Sequence, residues 1–243
     1  MNARLGVRLG LAAVSIGLTF AVTLAVTPAA QARVLPLPVY YRVDTKDDVV
    51  FLTVDDGIVQ TKGALAYVLK HHLPITSFLT SSQVPHRAQY FKQISQWGSI
   101  QNHTTTHQDF NDPSTNFDRQ ICPVQKYYTK QFGTEPWMLR PPYGNGARNQ
   151  YMQSVANGCG INRILLWDAV VDKGRLTTWN NGLLNRGSII LMHYTSNLEY
   201  DLRVAVSAAR AQGLHPANLS DYLLPPKDRR PDPSQDDTTS VPG

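Results

Sequence analysis

Four short stretches of this chain place chemically able side chains beside apolar runs. In Thr53-Val54-Asp55-Asp56-Gly57 two carboxylates stand next to each other at the end of a β-branched run. Adjacent carboxylates repel and are costly to desolvate, so something positive is expected beside them. Asp-Gly is also a common turn dipeptide, and taken alone the stretch reads equally as an acidic turn. In Asn102-His103-Thr104-Thr105-Thr106-His107 two imidazoles lie four residues apart, the spacing that shares one face of a helical turn and can grip one metal ion. Thr105 and Thr106 are weak helix formers, which puts the pair in a loop or in the first turn of a helix. A zinc protease of the His-Glu-x-x-His type needs a glutamate after its first histidine. Thr104 stands there, and a protease is disfavoured.

Together the two stretches say more than either alone. His103, His107 and one carboxylate form a two-histidine, one-carboxylate set that leaves positions open for water and substrate, as a catalytic metal requires. The second carboxylate is then free to take a proton from water activated there. The third stretch, Arg140-Pro141-Pro142-Tyr143-Gly144, has two prolines that stiffen the backbone and an arginine able to fix a carboxylate bidentately, although alone it would pass for a strand-to-helix loop. The fourth, Ile189 to His193, ends an apolar run on a histidine that becomes a candidate proton donor if a metal site lies opposite. His71, His72, His86 and His215 lack such a setting and read as structural.

These residues need elements to position them, and short apolar runs alternate with amphipathic stretches as in α/β proteins. Val49 to Val54 reads as a strand buried on both faces. Further strands are predicted at 75–79, 137–139, 161–166 and 188–192, and helices at 64–72, 88–97, within 117–132, at 147–156 and at 202–212. About seven such units predict a distorted (β/α) barrel of about seven parallel strands; a doubly wound open sheet is the competing topology.

The 243 residues, 42% hydrophobic and 17% charged with 16 Gly and 16 Pro, are those of an ordinary globular domain and exclude disorder throughout, collagen or a disulfide-dense miniprotein. Arg4 and Arg8 precede an apolar stretch from Leu9 to Val26, and Ala30-Gln31-Ala32 suits a signal peptidase. The expected organisation is a signal peptide at 1–32, a catalytic domain at 33–224 and a Pro-, Asp-, Ser- and Thr-rich disordered tail at 225–243. An uncleaved anchor is the alternative for the leader; either way the remainder is exported, secreted or held at the cell wall, with no stable membrane insertion after cleavage. The formal charge of +5 contains no long basic run and does not call for nucleic acid. Export makes Cys122 and Cys159 candidates for one disulfide, with two buried free thiols as the alternative.

In order and approximate spacing, Asp55-Asp56-Gly57, His103 to His107, Arg140 to Gly144 and Leu191 to His193 resemble the polysaccharide deacetylase family, carbohydrate esterase family four. The resemblance runs from Val49 to about Leu224 and implies a distorted (β/α) barrel that removes acetyl groups from acetylated glycan with a divalent metal, most often zinc, with cobalt or another ion also possible. Carried over position by position, Asp56, His103 and His107 match metal ligands, Asp55 the general base and Arg140 the residue that orients it. The backbone N–H of Tyr143 matches an oxyanion donor, Leu191 a wall for the acetyl methyl and His193 the general acid. Many members also have an Asp-Trp pair after a late strand, the Asp orienting the acidic histidine. Here Lys173 and Gly174 stand where it is expected, leaving Asp168, Asp172 or neither to orient His193. Val54, Ile58 and Gln101 also depart from the usual residues.

The leading expectation is therefore a secreted metal-dependent hydrolase that deacetylates N-acetylglucosamine-containing polysaccharide, chitin-like or peptidoglycan. A non-catalytic glycan-binding relative and an acetylxylan esterase with the same site are the alternatives. The presence of both Asp55 and His193 separates the first from the second, because a binding module needs neither a base nor an acid.

Overall fold

The computed structural model describes residues 36–223, so the leader expected at 1–32 and the tail expected at 225–243 lie outside the described residues. In chain order the elements are β1 (Val39–Tyr40), β2 (Val49–Asp56), α1 (Lys62–His71), β3 (Ile75–Leu79), α2 (Ala88–Ile94), β4 (Ser99–Asn102), α3 (Phe117–Phe132) and β5 (Met138–Leu139). They continue with α4 (Gln150–Gly158), β6 (Arg163–Leu165), β7 (Ala169–Asp172), β8 (Arg175–Thr178), β9 (Ser188–His193), α5 (Leu198–Ala211), β10 (His215–Pro216) and α6 (Leu219–Tyr222).

The strands form one curled sheet in the order β1-β6-β5-β4-β3-β2-β9-β7-β8, with β10 paired to the start of β2. The run from β6 to β7 contains seven mutually parallel strands, and β8 pairs antiparallel with β7. Strands β2 to β6 follow one another around the sheet without the reversal of order that defines a doubly wound fold, so the expected curled, barrel-like α/β topology is the one found. Side-chain alternation divides β2 between two cores. Val50, Leu52 and Val54 face outward to α1 and α5, whose Val68, Leu202 and Ala205 cover them. Val49 and Phe51 point into the curl, with Phe78, Met138, Leu165 and Ile189 around them and Leu219 and Leu223 packed into the same cluster. A third cluster, including Ile121, Met152 and Ile164, seats α3 and α4 on the other flank.

Helix starts are fixed locally. Thr61, Asn116 and Asn149 each accept a hydrogen bond from a backbone N–H of the first turn of α1, α3 and α4, a contact worth about 1 kcal/mol per helix.

The sequence pattern misses β4 and the β7–β8 hairpin. Ser99-Ile100-Gln101-Asn102 is short and polar, yet Gln101 and Asn102 are buried because both have partners: Gln101 Oε1 accepts from the N–H groups of Trp137 and Met138 at 3.0 and 2.9 Å, which starts β5. The hairpin turns on Lys173 and Gly174 alone, both left-handed at φ 50° and 76°; lysine at the first position hides the turn from composition. The two-residue β1 and β10 and the single turn of α6 are likewise too short to leave a period. Cys122 of α3 is bonded to Cys159, the residue after α4, so the two helices of the outer flank are cross-linked as expected.

A Cys122→Ser/Cys159→Ser protein is expected to lose about 3 to 4 kcal/mol of stability, given the 37-residue separation of the pair. Urea unfolding of the two proteins measures it; equal midpoints would show that the bond closes nothing the unfolded chain lacks.

Candidate functional site

Parallel register brings the four stretches to one level. Asp55 stands opposite His193, Asp56 opposite Leu79, Leu79 opposite Asn102 and Asn102 opposite Leu139. The residues that follow Asn102 and Leu139 are His103 and Arg140, so Asp55, Asp56, His103, Arg140 and His193 all lie at or just beyond the C-terminal end of a strand, where parallel α/β folds concentrate their chemistry.

Arg140 is the deepest of them, with no exposed surface. Nη1 donates to Asp55 Oδ1 at 2.7 Å and to Thr53 Oγ1 at 2.9 Å, Nε to the Leu165 carbonyl at 3.2 Å and Nη2 to the Leu166 carbonyl at 3.0 Å. The guanidinium also lies over the Phe78 ring, 4.3 Å from its centroid. Burial pulls its pKa down from the usual arginine value and Asp55 pulls it back, so the charge is retained and holds the Asp55 carboxylate in one place.

Asp56, His103 and His107 meet, with one ligand atom from each within 4.8 Å of the others. Asp56 Oδ1 lies 3.4 Å from His103 Nε2 and 3.3 Å from His107 Nε2. It is buried, with no hydrogen-bond partner among the described residues. Two donor atoms each about 2.1 Å from a tetrahedral ion are about 3.4 Å apart, so the spacing and the unpartnered oxygen both fit a divalent metal. His103 Nδ1 is 2.7 Å from the Arg140 carbonyl, which can only accept; Nδ1 therefore carries the hydrogen and Nε2 faces Asp56. Burial disfavours a charged His103, but Asp55, Asp56 and that carbonyl outweigh it and raise its pKa. Burial likewise pushes Asp56 up, and the approach of His103 with the charges of His103, His107 and His193 brings it below the usual carboxylate value. His107 is lowered, first by burial and then by His103. Asp55 Oδ2 stands aside, 3.8 Å from His103 Nε2.

The two histidines do not share a helix face, contrary to the first-turn alternative. They meet in a loop bent at Thr104 and His107, whose φ values are 72° and 60°. Asp56 and Tyr143 are left-handed too, at 76° and 59°, so four of the eight such non-glycine residues among those described surround this site. Each conformation costs about 1 kcal/mol or more and persists only where neighbours enforce it. Here the enforcers are visible. Asn102 Oδ1 accepts from Thr104 N–H, while its amide donates to the Ile121 carbonyl and to Gln125. Gln120 accepts from Thr106 N–H and donates to the Thr106 hydroxyl. Pro123, inside α3, has no N–H to offer the Arg119 carbonyl four residues back, and the Thr105 hydroxyl donates to that carbonyl at 2.9 Å. The roles of Gln120, Gln125 and Pro123 have no signal in the sequence, because each depends on a contact across the fold.

His193 ends β9 beside Asp55, and Leu191 lies two residues below it on the same face. Tyr143 is 64% exposed with its ring 4.8 Å from that of His107. Of the carboxylates considered for orienting His193, Asp168 is ruled out by position: it accepts from the Ser188 hydroxyl and Ile189 N–H, at the far end of β9, about 13 Å along the strand from His193. Asp172 is exposed at the hairpin tip. The sequence gives no hint of Asp201, in the first turn of α5. It is 2% exposed and accepts from Gly174 N–H at 2.7 Å. Burial raises its pKa, the hydrogen bond from Gly174 opposes this, the charge of Asp172 adds to it, and His193 again lowers it.

A curled parallel sheet with a two-histidine, one-carboxylate cluster and a spare buried carboxylate defines the class: an α/β protein with a candidate metal site at its strand ends. Residues 42–164 match the polysaccharide deacetylase family, and the chain belongs to it. An uncharacterized protein of Streptomyces coelicolor is 32% identical over 203 residues, 80% of each chain. Among solved structures, a peptidoglycan N-acetylglucosamine deacetylase superposes with a TM-score of 0.63 at 21% identity, covering 76% of this chain and 92% of that one. A family 4 carbohydrate esterase pseudoenzyme of Bacillus anthracis gives 0.61 at 20% identity, covering 78% and 70%. At such identities these two structures establish the fold.

Arg140→Met is expected to destabilise the protein by about 3 to 5 kcal/mol, because Asp55 is left charged and buried without its partner, and Arg140→Met/Asp55→Asn to recover part of that loss. Urea unfolding of the single and double variants decides it; an additive cycle would mean that the pair is not coupled.

Proposed function

We propose that this chain is an exported, metal-dependent deacetylase of N-acetylglucosamine-containing polysaccharide, chitin-like or peptidoglycan. The observation that carries the reading is the convergence of Asp56, His103 and His107 with Asp55 held beside them by Arg140. Membership of the family supports hydrolysis of an amide, and the deacetylase among the structural neighbours supports a glycan substrate. The disulfide supports an oxidising compartment outside the cytoplasm.

Asp56, His103 and His107 would hold the ion. Zinc suits their nitrogen and oxygen donors best and cobalt is accepted by the same set; when bound, such an ion supplies a Lewis acid that polarises water and the acetyl carbonyl. The residues do the rest. Asp55, fixed through Oδ1 by Arg140, uses Oδ2 to take a proton from the attacking water. The backbone N–H of Tyr143 offers a hydrogen bond to the carbonyl oxygen as it gains charge, and Leu191 gives the acetyl methyl an apolar wall. His193, in register with Asp55 on the neighbouring strand, donates a proton to the departing amine. Asp201, buried in the first turn of α5 and bonded to Gly174 N–H, is a carboxylate on which the charge of His193 acts, and the Asp-Trp pair is absent from this chain.

A glycan-binding relative without turnover is the second reading, favoured by the absent Asp-Trp pair and by the pseudoenzyme among the neighbours. An acetylxylan esterase shares the chemistry with a different bond. Acetate release from chitin oligomers, peptidoglycan and acetylated xylan, each with and without chelator, separates the three.

Asp55→Asn is expected to lower turnover by at least about 100-fold while metal content, read by elemental analysis, stays near one ion per chain; full activity in this variant would remove Asp55 as the base. His103→Ala or His107→Ala should weaken zinc binding at least about 10-fold by calorimetry, and unchanged affinity would disprove the ligand set.

A further inference from the structure

The β7–β8 hairpin lies at the open edge of the sheet, and one of its faces is uncovered. Register places Val170 beside Leu191, so continuing two residues puts Asp172 beside His193 on the face that carries the reaction. Across the hairpin, Asp172 pairs with Arg175 and Val170 with Thr177. The ladder extends one pair further, for Trp179 N–H donates to the Asp168 carbonyl at 3.1 Å. Arg175, Thr177 and Trp179 therefore share the face of Asp172 and His193, and all three are exposed. The strip they form descends about 13 Å from the hairpin tip to Trp179.

At its lower end is a cleft of about 820 Å³, within the size range of small-molecule sites. Trp179 is 68% exposed and lies 5.1 Å, centroid to centroid, from Tyr41, which follows the edge strand β1 at the opposite margin of the sheet. The two rings thus bridge the seam of the half-barrel. Arg42, Asp44, Asn180 and Asn185 complete the lining with donors and acceptors. Asp168 forms a fixed wall: its two carboxylate oxygens accept from Ser188 and Ile189, and each keeps a further acceptor position. An indole left in water forgoes the burial that usually stabilises it, and an aromatic floor ringed by amides and charges offers flat apolar area together with hydrogen bonds. A sugar ring, with apolar C–H faces and a rim of hydroxyls, has the complementary chemistry.

We propose that the uncovered face of the β7–β8 hairpin is a glycan track leading from His193 to the Tyr41–Trp179 cleft, which holds a sugar unit of the polymer distant from the one that reacts. The proposal rests on the glycan reading above. It makes affinity depend on chain length: a short oligomer fills the strand-end site alone, and a longer one reaches Trp179 as well.

The test uses the full exported chain carrying Asp55→Asn, so that bound oligomers are not consumed, and measures binding of N-acetylglucosamine dimer and hexamer by calorimetry, with Trp179→Ala and Trp179→Phe added in turn. The expected result is tighter binding of hexamer than dimer and a loss on Trp179→Ala of about 10-fold greater for hexamer than for dimer, or ~1.4 kcal/mol, largely restored by phenylalanine. Equal losses for the two oligomers, hexamer binding untouched by Trp179→Ala, or no glycan binding at all would each overturn the track. Turnover is assayed separately on the wild-type chain. Trp179-dependent hexamer binding without acetate release from any substrate would leave the track standing and defeat the hydrolytic reading.

Discussion

Arg140 carries its charge where no water reaches, and much of the inner structure is arranged around that fact. A buried guanidinium is tolerable only with its donors satisfied and a carboxylate at hand. The Leu165 and Leu166 carbonyls come from the end of β6, Thr53 and Asp55 from β2, and the Phe78 ring from β3. One side chain from the end of β5 therefore ties the adjacent β6 to β2 and β3, which come within its reach because the sheet curls. The same residue extends its grip through its backbone, since its carbonyl fixes the tautomer of His103. The position of the Asp55 carboxylate and the direction of the His103 ring thus follow from a single buried residue.

Around that centre the chain is bent against its preferences. Asp56, Thr104, His107 and Tyr143 are all left-handed, a conformation that asparagine or glycine would adopt more cheaply. Asn102, Gln120 and Thr105 hold the histidine loop in place, and Pro123 leaves open a carbonyl in α3 that the loop uses. Strain at the site is thus sustained by hydrogen bonds formed one layer behind it, which makes the outer flank of α3 and α4, with its disulfide, part of the foundation of the site.

The place where the chain departs from its family is also where its surface opens. A tight hairpin occupies the position of the Asp-Trp pair; it is anchored to α5 by the bond from Gly174 to Asp201 and by the Tyr200 ring, which leaves no room for a side chain at Gly174. The hairpin sets a buried carboxylate, Asp201, at a helix start behind it, and it leaves one face of β8 uncovered.

The repeating α/β rhythm was legible in the sequence because parallel strands buried on both faces must be continuous apolar runs, as Val49 to Val54 and Ser188 to Met192 are. The four chemical motifs were legible because Asp-Asp, paired histidines, Arg-Pro-Pro and a terminal histidine are each local. What the sequence could not show depends on through-space partners: β4 is a strand because Gln101 and Asn102 find hydrogen bonds inside the protein, Lys173 turns because Gly174 and Asp201 hold it, and Asp168 is barred from His193 by lying at the wrong end of β9. The residue types and their order were set by the chain alone. Their distances were set by the register and curl of the sheet, because separations of 2.7 to 3.8 Å between side chains some 50 to 85 residues apart depend on how strands pair, which no local pattern encodes.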